Sequence, residues 1–136
     1  MEPAVIFSIC NSFVLIGWIL LIFAPNWKHT LTLAVPIVIG ILSLVYAFLI
    51  LPTILHFDPS AFSSLANVKA LFQDDRALTA GWVHYLAFDL LVGMYIVEKS
   101  KTLGIPRWQY TICLPFTFMF GPIGLLLFHL FKLIKK

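Results

Sequence analysis

Apolar residues in this chain come neither in strand-like alternation nor in narrow helical stripes, but in long unbroken runs. Four stretches, at 4–24, 31–55, 77–97 and 108–134, are almost free of charge. A hydrocarbon layer ~30 Å thick needs about 20 apolar residues per helix, so each run predicts one membrane-crossing helix. The expectation is all-α: an integral membrane four-helix bundle, one domain over residues 1–136, with no soluble domain attached. Connections at 25–30 and 98–107 are short, but the one at 56–76 is longer than a compact turn requires. Within it, Asp58-Pro59 reads as an N-cap followed by proline at the first helical position. Phe62, Leu65, Val68 or Lys69, and Phe72 then recur at helical spacing. This pattern predicts a short amphipathic interfacial helix over 60–72, between the second and third spans. It either rests on headgroups or lids the bundle.

Composition agrees. The chain is 61% hydrophobic and 11% charged, with a mean hydropathy of +0.99, too apolar for a soluble globule of this size. The first run has Glu2 where a signal peptide carries basic residues, and no small-residue cleavage pattern follows it, so it reads as a retained helix. Net charge is +3, but the bases cluster at run ends with no basic face between them. They therefore speak to membrane topology and not to nucleic acid. Lys69, Arg76, Lys132, Lys135 and Lys136 share the side of the termini, and Lys28, Lys99, Lys101 and Arg107 the other. The Lys-rich C-terminus places the termini in the cytoplasm, and the lack of an Arg- and Ser-rich transit segment suits a chain of a bacterial inner membrane or an already trimmed organellar one. Cys10 and Cys113 enter from opposite faces, more than about 10 Å apart along the normal, too far for a disulfide.

Against this background one residue stands out. Asp89 lies inside the third run, where a carboxylate costs roughly 2.5–3.5 kcal/mol on insertion scales. Every other Asp, Glu, Lys and Arg falls at a span end or in a loop. Trp82, Tyr85 and Gly93 share its helical stripe, whereas His84 points about 140° away on the same wheel. Gly93 leaves a gap that either admits a ligand or lets a helix pack closely. Asn11, His84 and His129 come to similar depths in one half of the membrane, with Tyr46 somewhat deeper. Asp89 and the Gly121-Pro122-Ile123-Gly124 element lie deeper still. Pro36, Pro52, Pro115 and Pro122 each remove a helix hydrogen bond; Pro122 frees the carbonyl of Phe118. These positions predict a polar-lined midplane cavity between the third and fourth spans.

Each residue also has a plainer reading. Asp89 can serve as a structural bond to a neighbouring helix, and His84 as a headgroup anchor beside Trp82. Asn11 and Tyr46 can be interhelical hydrogen bonders. Phosphate-gripping glycine loops, HExxH, CxxC and the nucleophile elbow are absent. His84 and Asp89 do not have a metal-ligand spacing on one helix face, so a metal site would need ligands from other helices; no metal and no cofactor are expected. The expected partners are the lipid bilayer and an apolar small molecule, with assembly of several copies left open.

Ala24-Pro25-Asn26 at the end of the first run, Leu71-Phe72 before the third, Trp82-x-His84-x4-Asp89-Leu90 within it and Pro122-x-Gly124 in the fourth together give the chain a family likeness. In order and spacing it resembles the abscisic-acid-deficient-four family, the plant neoxanthin synthases and their bacterial relatives. The resemblance implies a membrane-embedded isomerase acting on a carotenoid or related isoprenoid. In that chemistry a 5,6-epoxide opens, a neighbouring vinylic proton leaves, and an allene and a tertiary alcohol form without redox change. It needs an acid at the epoxide oxygen and a base at carbon. Asp89 and His84 are the expected pair, with Trp82, Tyr85, Gly93, Asn11, Tyr46, Pro122 and Gly124 lining the substrate site. The histidine of the fourth span is displaced by one position from the plant pattern, so no role passes to His129. The alternatives are a non-enzymatic carotenoid- or lipid-binding accessory protein and, on a thinner relay, a proton or small-solute transporter.

Overall fold

The computed structural model describes residues 2–56 and 58–134. Helix α1 spans Pro3–Phe23, α2 Val35–Leu55, α3 Leu65–Leu71, α4 Asp75–Leu103 and α5 Arg107–Ile134. Thr30–Ala34 forms a turn of π-helix leading directly into α2, so the second long helix is continuous over Thr30–Leu55. Four helices are thus long and apolar enough to cross a membrane, as the runs predict, and no strand occurs among the described residues. This architecture, together with the apolar outer surface, is compatible with an integral membrane protein.

Two boundaries differ from expectation. Helix α4 continues six residues beyond the apolar run, through Glu98, Lys99 and Lys101, to a left-handed Gly104 (φ 63°). Charged residues are good helix formers once a helix has left hydrocarbon, and glycine closes it because φ > 0 carries no Cβ penalty. The long connection, in turn, is not one helix over 60–72. Asp58 caps a single 3-10 turn, Pro59–Phe62, by accepting from the Ser60 N–H at 2.9 Å. The chain then breaks at Ser63-Ser64, where the Ser64 hydroxyl accepts from Asn67 N–H and starts α3 afresh. Serines compete with the helix for backbone groups, and two in succession outweigh the apolar spacing. None of α3 is buried.

The bundle is organised around α4, which packs against α1, α2 and α5. Half of its most apolar window is buried, against a third or less in the other long helices. Its small and branched residues Ala80, Val83, Ala87, Leu90, Ile96 and Val97 face Val14, Trp18 and Leu21 of α1, Val38 and Leu42 of α2, and Leu114 and Phe128 of α5. Large apolar side chains such as Leu44, Phe48, Ile54 and Leu126 remain on the outside, where a soluble fold would place polar groups. Cys10 and Cys113 are both buried and both free.

The Pro52 interruption of α2 is filled by a side chain from the next long helix. Pro52 in α2 cannot donate to Phe48, four residues back. Arg76, at the start of α4, fills the place: Nη2 donates to Phe48 O and Nε to Leu49 O, both at 2.9 Å, with its guanidinium 5.4 Å from the centre of the Phe48 ring. At the opposite end of the bundle, Arg107 donates to Ile22 O and Phe23 O, and Lys101 to Pro25 O. Thr30 donates to Ala24 O at 2.6 Å. Cations thus sit where the carbonyl dipoles of α1 converge, the favourable sign at a helix C-terminus.

Candidate functional site

Helix α5 is two helical segments joined at a kink. Phe120 (φ −145°, ψ 60°) leaves helical geometry between them. Pro122 explains why the break stands here: its ring blocks the helix running in from Phe118, while the first turn of a new helix tolerates a residue without N–H. The break creates orphans on both sides, with carbonyls at the end of the first half and amides at the start of the second.

One stripe of α4 serves both. The Tyr85 hydroxyl lies 3.2 Å from Phe118 O and 3.0 Å from Met119 O and can donate to either. One turn on, the Asp89 carboxyl accepts from the backbone N–H of Gly121 and lies within interaction range of Tyr85. Asp89 therefore serves the amide end of the second half of α5 from a different helix, supplying a carboxyl oxygen where the first turn lacks intrahelical partners. Gly121 is required for this approach, since a Cβ there would collide with Asp89 Oδ1 and come 2.8 Å from its Cγ. Gly124 permits a second one, because a Cβ would lie 2.6 Å from Thr117 Cα, closer still to Thr117 N and Oγ1. Residues 117 and 124 would be about 10 Å apart along a regular helix. The two glycines thus let the chain fold tightly on itself at the break.

Asp89 is only 8% exposed, and its Oδ2 has no hydrogen-bond partner. No cation pairs with it among the described residues. Next to it, Asn11, Val14, Leu15, Trp82, Tyr85, Leu86, Phe118 and Met119 line a groove of about 360 Å³ between α1, α4 and α5. Its walls are apolar apart from Asn11, the indole N–H, the Tyr85 hydroxyl and the loosened backbone. Trp82 Nε1 donates to Asn11 Oδ1 at 2.8 Å, tying α4 to α1 across the groove. Trp82 also forms part of an adjoining depression with Pro3, Phe7, Asp75 and Thr79.

The expected residues therefore fall into two groups. Asp89, Tyr85, Trp82, Asn11 and the Pro122–Gly124 element come together at the break. Gly93 joins their stripe, but its open face is filled by the Trp18 indole, 2.7 Å from where a Cβ would stand; Trp18 in turn meets Phe118 edge-on at 5.5 Å. His84 is not brought to Asp89. It is exposed on the side of α4 toward α2, stacked on Phe88 at 4.5 Å and 5.4 Å from the Tyr46 ring. His129 is also exposed, its Nδ1 2.8 Å from the carbonyl of Leu125 in its own helix. Sequence reasoning missed Thr117 and gave Met119 no role. The signal for Met119 was available, because a chain breaking before Pro122 frees more than the single carbonyl that proline itself orphans.

Fold and site together define a class: an all-α bundle of four helices long and apolar enough to cross a membrane, whose last long helix is broken and held by a carboxyl and a phenol from the helix beside it. Residues 5–128 match the family model described as ABA4-like, ABA DEFICIENT 4-like, and the chain belongs to that family. Neither a curated protein nor a solved structure matches it.

Proposed function

We propose that the protein is a membrane-embedded isomerase acting on a carotenoid or related isoprenoid, by opening an epoxide to an allene. The observation that carries this reading is the groove: apolar along its length, with a proton-bearing side chain, Tyr85, at the helix break. A bilayer-dissolved chain would lie against Val14, Leu15 and Leu86, with its oxygenated end toward Tyr85. Tyr85 lines the groove and Asp89 stands behind it, so the hydroxyl is the group that meets the ligand and Asp89 is the residue that holds the break open. In the reaction Tyr85 gives its proton to the epoxide oxygen as the C–O bond breaks. The phenolate left behind takes the vinylic proton, and the electron pair of that C–H bond forms the new double bond. One proton is given and one returned, so no redox partner is needed. His84, facing away, has no part in this scheme.

A second reading has its own support. Among the described residues that line the groove, Tyr85 is the only titratable one, which suits a protein that binds and presents an isoprenoid without converting it. We further place the termini in the cytoplasm, on the side of Lys69, Arg76 and Lys132. The 58–72 segment, with Phe62, Leu65 and Phe72 exposed, lies along the membrane interface.

The test uses the full chain in lipid nanodiscs with violaxanthin, followed by chromatography. The isomerase reading expects conversion by the wild-type protein, lost in Tyr85→Phe and strongly reduced in Asp89→Asn. Pigment retained without conversion establishes the second reading, and the absence of both binding and conversion refutes the two together.

A further inference from the structure

The oxygens around the break outnumber the protons available to them. Tyr85 has one hydroxyl proton for two carbonyls, at 3.2 and 3.0 Å, so it cannot satisfy both at once. Asp89, more than nine-tenths buried, points its carboxyl into the same break and leaves Oδ2 without a donor. A carboxylate out of water with no cationic partner is among the costliest arrangements a fold can hold. The surroundings also define which cation would fit. Among the described residues no three His, Cys, Asp or Glu side chains gather, so the break offers a single carboxyl and no soft ligand. One carboxylate, freed backbone carbonyls and a phenol oxygen instead match a hard ion of single charge, held at an unwound membrane helix.

We infer that the break in α5 is a sodium-ion site, with Asp89 Oδ2, the carbonyls of Phe118 and Met119, and the Tyr85 oxygen as ligands. Bound sodium balances the Asp89 charge and ties the first half of α5 to α4. This goes beyond the isomerase reading and does not depend on it, because the test contains no pigment.

The purified full chain is exchanged into detergent with choline chloride, and sodium is then added at constant ionic strength. Unfolding is followed by a thiol-reactive dye, which reaches the buried Cys10 and Cys113 as the bundle opens. Saturating sodium should raise the midpoint by at least about 5 °C, potassium should do far less, and Tyr85→Phe should require roughly tenfold more sodium. Asp89→Asn should abolish the effect. In parallel, dicyclohexylcarbodiimide, which couples to protonated buried carboxyls, should modify Asp89 in choline and do so at least about fivefold more slowly in sodium, since the bound ion excludes proton and reagent alike. If Asp89→Asn fails to fold, carbodiimide protection in the wild-type chain decides alone. Midpoints equal in sodium and choline, a sodium effect surviving in Asp89→Asn, or labelling undiminished by sodium would each overturn the site; the last would leave a proton as the sole companion of Asp89.

Discussion

Two glycine-to-alanine substitutions, at positions 124 and 40, test whether the break in α5 is as tight as its geometry implies. At Gly124 the added methyl would stand 2.6 Å from Thr117 Cα. Carbon atoms are comfortable at about 3.5–4.0 Å, so the two segments must part by roughly 1 Å. The obstacle is backbone on both sides, and no rotamer change relieves it. Forced overpacking costs about 1–3 kcal/mol, and disturbing the Tyr85 bonds to Phe118 and Met119 adds about 1 kcal/mol, for a loss near 2–4 kcal/mol. Gly40 is the control, as it lies within α2 with nothing inside 4 Å of an added methyl. There alanine gains helix propensity and should stabilise by about 0.5–1 kcal/mol. At ~3 °C per kcal/mol, Gly124→Ala should unfold roughly 6–12 °C below wild type and Gly40→Ala slightly above it. Dye capture of Cys10 and Cys113 during a thermal ramp reads both. A Gly124→Ala protein melting beside wild type, or a Gly40→Ala protein as damaged as Gly124→Ala, would refute the close approach of residues 117 and 124.

Further outcomes follow from the same reasoning at other joints. Arg76→Met should destabilise by about 1–3 kcal/mol, because the Phe48 and Leu49 carbonyls lose a charged donor beside the Pro52 interruption of α2; a loss below ~0.5 kcal/mol in the same melt would mean that water or lipid headgroups replace the guanidinium without cost. At Asp58, bonds from the Ser60 hydroxyl and N–H hold the carboxyl below the ordinary aspartate range. A lowered folded value means that the cap contributes while Asp58 is ionised and fades as pH falls through that value. Exchange of the Ser60 amide should therefore gain protection above the ordinary aspartate range and lose it in stronger acid, and Asp58→Ala should remove this pH dependence while leaving the bundle melt unchanged.

How much of this could be read from the sequence depends on the kind of force involved. The four long helices were legible because a run of about 20 apolar residues has few other uses. Asp89 was legible as an energetic exception, and its stripe with Trp82, Tyr85 and Gly93 follows from helical geometry alone. The partner of each stripe residue was not legible, because it depends on which helix packs where. Gly93 illustrates this: a gap in sequence became a seat for the Trp18 ring. His84 shows the same limit from the other side, since its nearness to Asp89 in sequence and its place in a family-like segment say nothing about direction, and the wheel already set the two well apart.

The prolines point to what organises the molecule. Each removes a donor locally, and sequence alone identifies which carbonyl is stranded: Phe48 for Pro52, Phe118 for Pro122. It does not identify the replacement. In both cases the replacement comes from α4, through Arg76 and Tyr85 respectively, and Asp89 on that same helix caps the amide side of the second break. Helix α4 can do this because it packs extensively against all three of the other long helices, so its polar side chains reach backbone defects on either flank. The acid that costs most in a hydrocarbon setting is thus placed where a neighbouring helix has already been opened. Removing the carboxyl should affect the shape of α5 before it affects any ligand. Asp89→Asn keeps an acceptor for the Gly121 N–H and loses only the charge, whereas Asp89→Leu loses both. If the carboxyl mainly holds the break, Asp89→Leu should melt well below Asp89→Asn; equal melting of the two would assign its importance to charge alone.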